Sequence, residues 1–308
     1  MLLVLAALPG LFWEGGADTA QALREAGIDR IQTPQAQVAA WKDVAGIKAE
    51  AADLRSAVKL RTPTVNYRMD QASASRAPWL DTNGWRFLRQ PHGHFYYDVQ
   101  GPQAALAAAE AFCYSSDAMI RTDAAGLKPL GQMLAFLHGV QADEMPAIAD
   151  IGFQDDGTPV AGEVMNMMVR DNLLFRIVAK PDPSLKLTVR IGSKEYPLEN
   201  AKNPGAMAHD IRFRLTDDKR SVRVYGSAVV VTRVTGTSGK LRVELLNYAA
   251  SNRKVDGIRV RVLGKYPQHR VTVADVPQAE LLDFTTDEDA TEFTVPELKS
   301  IAVIDLSR

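Results

Sequence analysis

Four acidic positions stand where parallel α/β architectures place their chemistry, just past the C-terminal ends of strands: Glu14, Asp98, Asp123 and Asp155, with Asp156 beside the last. Cleavage of a glycosidic bond needs two carboxyl groups facing one another, one protonated as acid and one ionised as nucleophile or base. Asp98 and Asp123 end consecutive predicted strands and Glu14 ends the first, so these three are the candidate catalytic residues. Aspartate is also a good helix cap and turn residue. That reading stands beside the catalytic one for every acid, and it is the stronger one for Asp155-Asp156-Gly157.

Sugars present apolar C–H faces that stack on aromatic rings. Trp13, Trp79 and Trp85 fall at a strand end or in a long loop, in the company of Tyr67, Tyr96 and Tyr97. Trp13, Trp79, Trp85, Tyr97 and Arg121 are therefore the candidate substrate-binding residues. Ordinary packing under a long loop would use the same rings, and Trp41, at helical spacing, reads as core. The pair His92-x-His94 lacks a third ligand at diagnostic spacing, so no metal is expected. No G-x-G-x-x-G follows a strand, and P-loop, H-E-x-x-H and G-x-S-x-G motifs are absent, so no cofactor is expected either.

The elements that must position these groups alternate. Strands are predicted at 11–14, 28–32, 47–51, 58–60, 94–99 and 118–122, with helices at 19–26, 35–44, 103–112 and 127–137 between them. Glycines 27 and 46 close the first two helices, the usual mark of short parallel βα units. Residues 62–92, rich in proline and aromatics, read as one long irregular stretch. Further strands at 147–153, 173–178 and 185–191 and helices at 160–169 and 204–215 either complete a barrel or form a flavodoxin-like segment. From Ser221 onward the period changes to two: Leu241, Val243 and Leu245 alternate with Arg242 and Glu244, and Val260 and Val262 with Arg259 and Arg261. Such alternation is that of antiparallel strands with one dry face. The expected layout is an α/β body, barrel-like or a partial (β/α) barrel, over 1–146, a flavodoxin- or amidotransferase-like segment over 147–220, and a β-sandwich over 221–308.

The 308-residue chain carries 36 basic and 37 acidic residues, a formal net charge of -1. No global field exists to attract nucleic acid or an anionic membrane. The single cysteine, Cys113, rules out an internal disulfide and reads as a buried thiol. Met1 to Leu8 is an apolar run too short to span a bilayer. It is either an atypical export signal, without a basic lead or a clear cleavage site, or the lead into the first strand, which leaves localisation open between exported and cytoplasmic.

Phe12-Trp13-Glu14, followed by Arg24-Glu25-Ala26-Gly27-Ile28, resembles the opening βα unit of clan-A glycoside hydrolase barrels. The ending, Leu245-Leu246-Asn247-Tyr248 and Phe293-Thr294-Val295-Pro296-Glu297-Leu298, resembles the β domain that closes β-galactosidase-like enzymes. That resemblance implies a glycoside-hydrolase-like protein with an amidotransferase-like middle segment and a carbohydrate as its partner; a homo-oligomer is left open. Such barrels carry an Asn-Glu pair after the fourth strand, and this chain has only the reversed Glu199-Asn200, in a loop. Two functions follow: a glycosidase using Asp98, Asp123 and Glu14, or a non-catalytic carbohydrate- or protein-binding relative that has lost the catalytic glutamates.

Overall fold

The computed structural model describes residues 5–66, 78–251 and 253–308. Its contacts divide the chain into two compact units, Met1–Thr64 with Gln90–Glu144, and Val65–Arg89 with Met145–Arg308. The fold is mixed α/β, with parallel and antiparallel sheets.

The first unit is built on six parallel strands. In chain order they are Gly10–Phe12, Arg30–Thr33, Lys48–Ala51, Val58–Lys59, Phe95–Asp98 and Met119–Arg121. Counted one to six, they lie side by side in the order 3-2-1-6-5-4. Every step between strand neighbours runs the same way across the sheet, and right-handed crossovers stepping one way lay their helices on one face. Accordingly, helix Ala124–Val140 touches both Ala20–Glu25 and Gln103–Cys113. The third and fourth strands are free edges, and no closed barrel forms among the described residues.

The helix layer is packed closely because its residues are small. Ala104, Ala107, Ala108 and Ala111 are wholly buried, and Cys113, in no disulfide, is buried beside them. A Cβ on Gly131 would sit 1.7 Å from the carbonyl oxygen of Ala26, so only glycine lets those two helices meet. The apolar lead is tied to the end of the same helix: Ala6 N donates to Ala142 O (3.0 Å), and Gln141 Nε2 to Ala6 O (2.6 Å).

The second unit gathers two stretches of the chain. Strand Ile151–Gln154 lies between Phe175–Ile177 and Leu187–Arg190 in a small parallel sheet, served by helices Pro159–Arg170 and Pro204–Leu215. Two four-stranded antiparallel sheets follow, and no helix occurs among the described residues after Leu215. The inward rows Val222, Ile258, Val260, Val262, Phe293 and Val295 of one sheet meet Val234, Val243, Leu245, Ala302, Ile304 and Leu306 of the other in one core. None of the described helices is long and apolar enough to cross a membrane.

The second unit holds 147–220 together with 221–308. Hydrogen bonds explain why 147–220 stays with the sandwich. Ile148 N donates to Val234 O and Gly236 N to Pro146 O, which adds residues 146–148 to the edge of strand Val230–Gly236. Asn172, at a positive φ of 55°, offers its side-chain amide to the same edge: Thr232 N donates to Oδ1 (2.6 Å) and Nδ2 donates to Val230 O (3.1 Å). Asp150, buried at the head of strand Ile151–Gln154, accepts from Ser221 N and from Lys186 Nζ.

The long irregular stretch expected at 62–92 is corrected in part. It contains a two-stranded sheet, Thr64–Asn66 with Trp79–Asp81, and the helix Gly84–Arg89, started by Thr82, whose hydroxyl accepts from Gly84 N. Three-residue strands and a six-residue helix are too short to show a period, and the prolines dominate the pattern. Tyr67 lies outside the described residues.

Candidate functional site

Sheet register builds the site. Strand Met119–Arg121 lies between Gly10–Phe12 and Phe95–Asp98, and Arg121 pairs in register with Phe12 on one side and Asp98 on the other. Neighbouring strands are about 4.8 Å apart, within reach of an arginine side chain. The chain leaves the first strand through Trp13, whose N donates to Gln32 O, and the carbonyl of Glu14 accepts from Gln37 Nε2. Glu14 is thereby turned towards Arg121, and their charged groups meet at 2.8 Å. The other guanidinium nitrogen is 4.0 Å from Asp98 Oδ2, and Lys59 Nζ donates to that oxygen at 2.7 Å. Four strands thus present a row of alternating charge, Glu14, Arg121, Asp98 and Lys59. The Asp98 hydrogen bond raises the Lys59 pKa above its usual value.

The row borders a pocket of about 460 Å³ lined by Phe12, Glu14, Pro34, Asp53, Arg55, Tyr96 and Arg121, among others. That volume suits a small ligand. Arg55 grips Asp53 through two nitrogens, which holds the Asp53 carboxyl below its usual range. A single guanidinium reaches both Glu14 and Asp98, so their carboxylates lie no further apart than the limit of about 9.5 Å that inverting glycosidases tolerate.

Asp123 is placed otherwise. It is the N-cap of helix Ala124–Val140, accepting from Gly101 N (2.9 Å) and Gly126 N (3.0 Å), and these two amides lower its pKa. Its carboxylate is occupied by the backbone, and it does not join Glu14 among the lining residues. Asp155 and Asp156 form the turn: Gly157 N donates to Asp155, Thr158 N donates to Asp156, and Asp155 is paired with Arg89 at 2.7 Å.

The aromatic candidates do not gather. Tyr97 is fully buried and its hydroxyl donates to Glu110 on the helix Gln103–Cys113, so it faces the helix layer rather than a ligand. Its neighbour Tyr96, on the opposite face of the strand, lines the pocket instead. The same alternation puts Phe12 and Glu14 in the lining and leaves Trp13 out, its Nε1 donating to Thr19 Oγ1 at 2.8 Å. Trp79 and Trp85 belong to the second unit. Arg170 lies 4.1 Å from the centre of the Trp79 ring, and Arg86 lies 4.3 Å from that of Trp85, which also presses on Gly162. An arginine thus lies over each of these two rings.

Lys59, Asp53 and Arg55 were open to sequence reasoning, because Asp53 and Arg55 follow one predicted strand and Lys59 lies in the next. A search restricted to carboxylates and aromatic rings passes over cations. Among the described residues no group of three or more His, Cys, Asp or Glu is placed to hold a metal ion.

No family model matches the sequence, and no curated protein does. Among solved structures, the α-L-fucosidase isoenzyme 2 from Paenibacillus thiaminolyticus aligns with a TM-score of 0.55 and 11% identity, over 94% of this chain and 71% of that one. The family 30 subfamily 8 xylanase of Clostridium acetobutylicum covers 99% of this chain and 97% of its own, with 9% identity and a TM-score of 0.26. A GH30 endoxylanase from Clostridium papyrosolvens C71 gives 10% identity and a TM-score of 0.25, over 99% and 98%. The structural neighbours are thus glycoside hydrolases at low similarity, and the likeness to the fucosidase structure is one of fold.

Proposed function

We propose that this is a glycoside-hydrolase-like protein that binds a carbohydrate in the pocket at the C-terminal rim of its parallel sheet. The observation that carries the reading is the Glu14–Arg121 pair in the wall of that pocket, with Asp98 behind it on the other side of the guanidinium. Sugar hydroxyls both donate and accept, and a row of alternating carboxylates and cations answers both demands along one edge of a ring. Tyr96 and Phe12 supply the apolar surface for its C–H face. The strand order is that of a barrel opened between its third and fourth strands, and we read the first unit as a reduced barrel.

Cleavage of the glycosidic bond is the second reading, and the shared guanidinium favours it by limiting the Glu14 to Asp98 separation. One carboxyl would protonate the leaving oxygen while the other attacks the anomeric carbon or draws a proton from water. An acid of that kind needs apolar surroundings or a like charge beside it. Here both carboxylates face cations and are well exposed, with side-chain accessibilities of 46% for Glu14 and 38% for Asp98, which places binding ahead of cleavage.

The test is titration calorimetry of the full chain against a panel of neutral oligosaccharides, with aryl glycosides assayed in parallel. Binding that weakens by about tenfold in Arg121→Met, the scale of a lost charge-assisted hydrogen bond, supports the proposal. No binding by any sugar, or equal binding by the variant, overturns it. Turnover that falls by about 10²-fold or more in Glu14→Gln or Asp98→Asn would carry the second reading instead.

A further inference from the structure

We propose that the β sandwich carries a binding site for a tetrahedral oxyanion, a phosphate or sulfate group, lined by Arg253, Lys254, Lys299, Ser251 and Ser300. These residues surround a pocket of about 380 Å³ formed where the chain leaves strand Lys240–Asn247, enters Val255–Leu263, and turns from Ala290–Leu298 into Ile301–Ser307. Three of the lining residues are cations, and one, Asp275, is an anion.

The backbone beneath the pocket is fixed by one side chain. Asn247 is fully buried, and its Nδ2 donates to the carbonyls of Arg253 (2.8 Å), Lys299 (2.9 Å) and Leu298 (3.3 Å). Its Oδ1 accepts from Ala249 N, and its own N donates to Ser300 O. The backbone segments carrying the cations are thereby fastened to one another before any ligand arrives. Such preorganisation lowers the cost of binding.

The side chains differ in what they have free. Among the described residues no carboxylate pairs with the Arg253 guanidinium, which leaves its planar fork of donors available. Lys254 is drawn to Glu297 (2.9 Å) and Asp256 (3.2 Å), neither of which lines the pocket. Lys299 donates one proton to the carbonyl of Asp275 at 3.0 Å, with Glu297 4.0 Å away, and retains two more donors. The hydroxyl of Ser300 is buried and has no hydrogen-bond partner. The open fork of Arg253 and the spare donors of Lys299, in the lining of one pocket, are donors that a multi-oxygen anion can accept from. The volume exceeds that of one such ion, so the group can be free or an ester on a larger molecule such as a sulfated glycan.

The test is titration of the full-length chain with sodium sulfate, sodium phosphate and a sulfated chondroitin oligosaccharide, at constant ionic strength against chloride. Binding is followed by calorimetry and by melting temperature. Sulfate also stabilises proteins without binding a site, so the reference is the double variant Arg253→Gln, Lys299→Gln measured identically. The expected result is saturable binding that weakens by about tenfold in the double variant and less in Ser300→Ala. Tighter binding of the sulfated oligosaccharide than of its desulfated form identifies an ester as the ligand; equal displacement by inorganic phosphate identifies the free ion. Isotherms indistinguishable from chloride, or unchanged in the double variant, overturn the proposal. All three substituted residues lie outside the buried core, and a far-UV spectrum matching the parent chain shows that the variants fold.

Discussion

The hydroxyl of Tyr97 donates to a carboxylate oxygen of Glu110 at 2.6 Å, and both residues are wholly buried between a parallel strand and the helix Gln103–Cys113. A ring that looks available for stacking is therefore part of the packing between sheet and helix. Removing a partner from a buried polar pair costs about 1–3 kcal/mol. Tyr97→Phe should lower the unfolding free energy by that amount in urea titration and leave the affinity of the rim pocket for its ligand unchanged. Loss of ligand affinity without loss of stability would return Tyr97 to the site.

Glu244 gives the fold a pH dependence. Its carboxyl is buried on strand Lys240–Asn247, and burial pushes its pKa up from 4.5 to about 8 despite the neighbouring Arg242 and Arg233. The folded state thus holds the proton more tightly than the unfolded chain. Its contribution is fully present below the unfolded pKa near 4.5 and is lost as pH rises towards 8, by about 1.4 kcal/mol per pH unit at most. Glu244→Gln cannot ionise, so the stability difference between variant and parent should move in the variant's favour across that window. A difference independent of pH between 5 and 8 would show that Glu244 ionises normally.

Gly131 is a steric requirement. A methyl group there would lie 1.7 Å from the Ala26 carbonyl oxygen, a backbone atom that cannot swing aside. Overpacking of this kind costs about 1–3 kcal/mol even where the surroundings adjust. Gly131→Ala should lower the melting temperature by several degrees. Gly139, on the same helix, has nothing within 4 Å of the added carbon, so Gly139→Ala should leave the melting temperature unchanged or raise it. Equal effects at both positions would refute the packing account.

The antiparallel sheets complete the second unit. Truncation after Gly226 removes the strand that pairs with Val222–Tyr225 and the edge on which Asn172 and Ile148 are held. It also uncovers Val222 and Leu174, which are buried in the sandwich core. Large exposed apolar patches promote association. The truncated chain should sediment as aggregate, whereas a monomer with unchanged stability would contradict this dependence.

Much of this architecture is legible in local periodicity, and much of the site is not. Glycine at the ends of short helices, the βα rhythm up to Arg121 and the two-residue alternation after Ser221 are properties of adjacent residues, so the elements could be read in order. The rule that chemistry sits past the C-terminal ends of parallel strands likewise marked Glu14, Asp98, Asp123 and Asp155. Which strands became neighbours was decided by pairing between distant segments. Only the register of Met119–Arg121 between Gly10–Phe12 and Phe95–Asp98 sets Arg121 across both Glu14 and Asp98. The choice of Tyr96 over Tyr97 hangs on which face of a strand the helices cover, a matter of one residue in a pattern of period two. Asp123 was diverted to two backbone amides, one of them supplied by the distant Gly101, and Trp79 and Trp85 were paired with arginines. A residue's chemistry is written in its side chain, but its availability depends on what the fold brings against it.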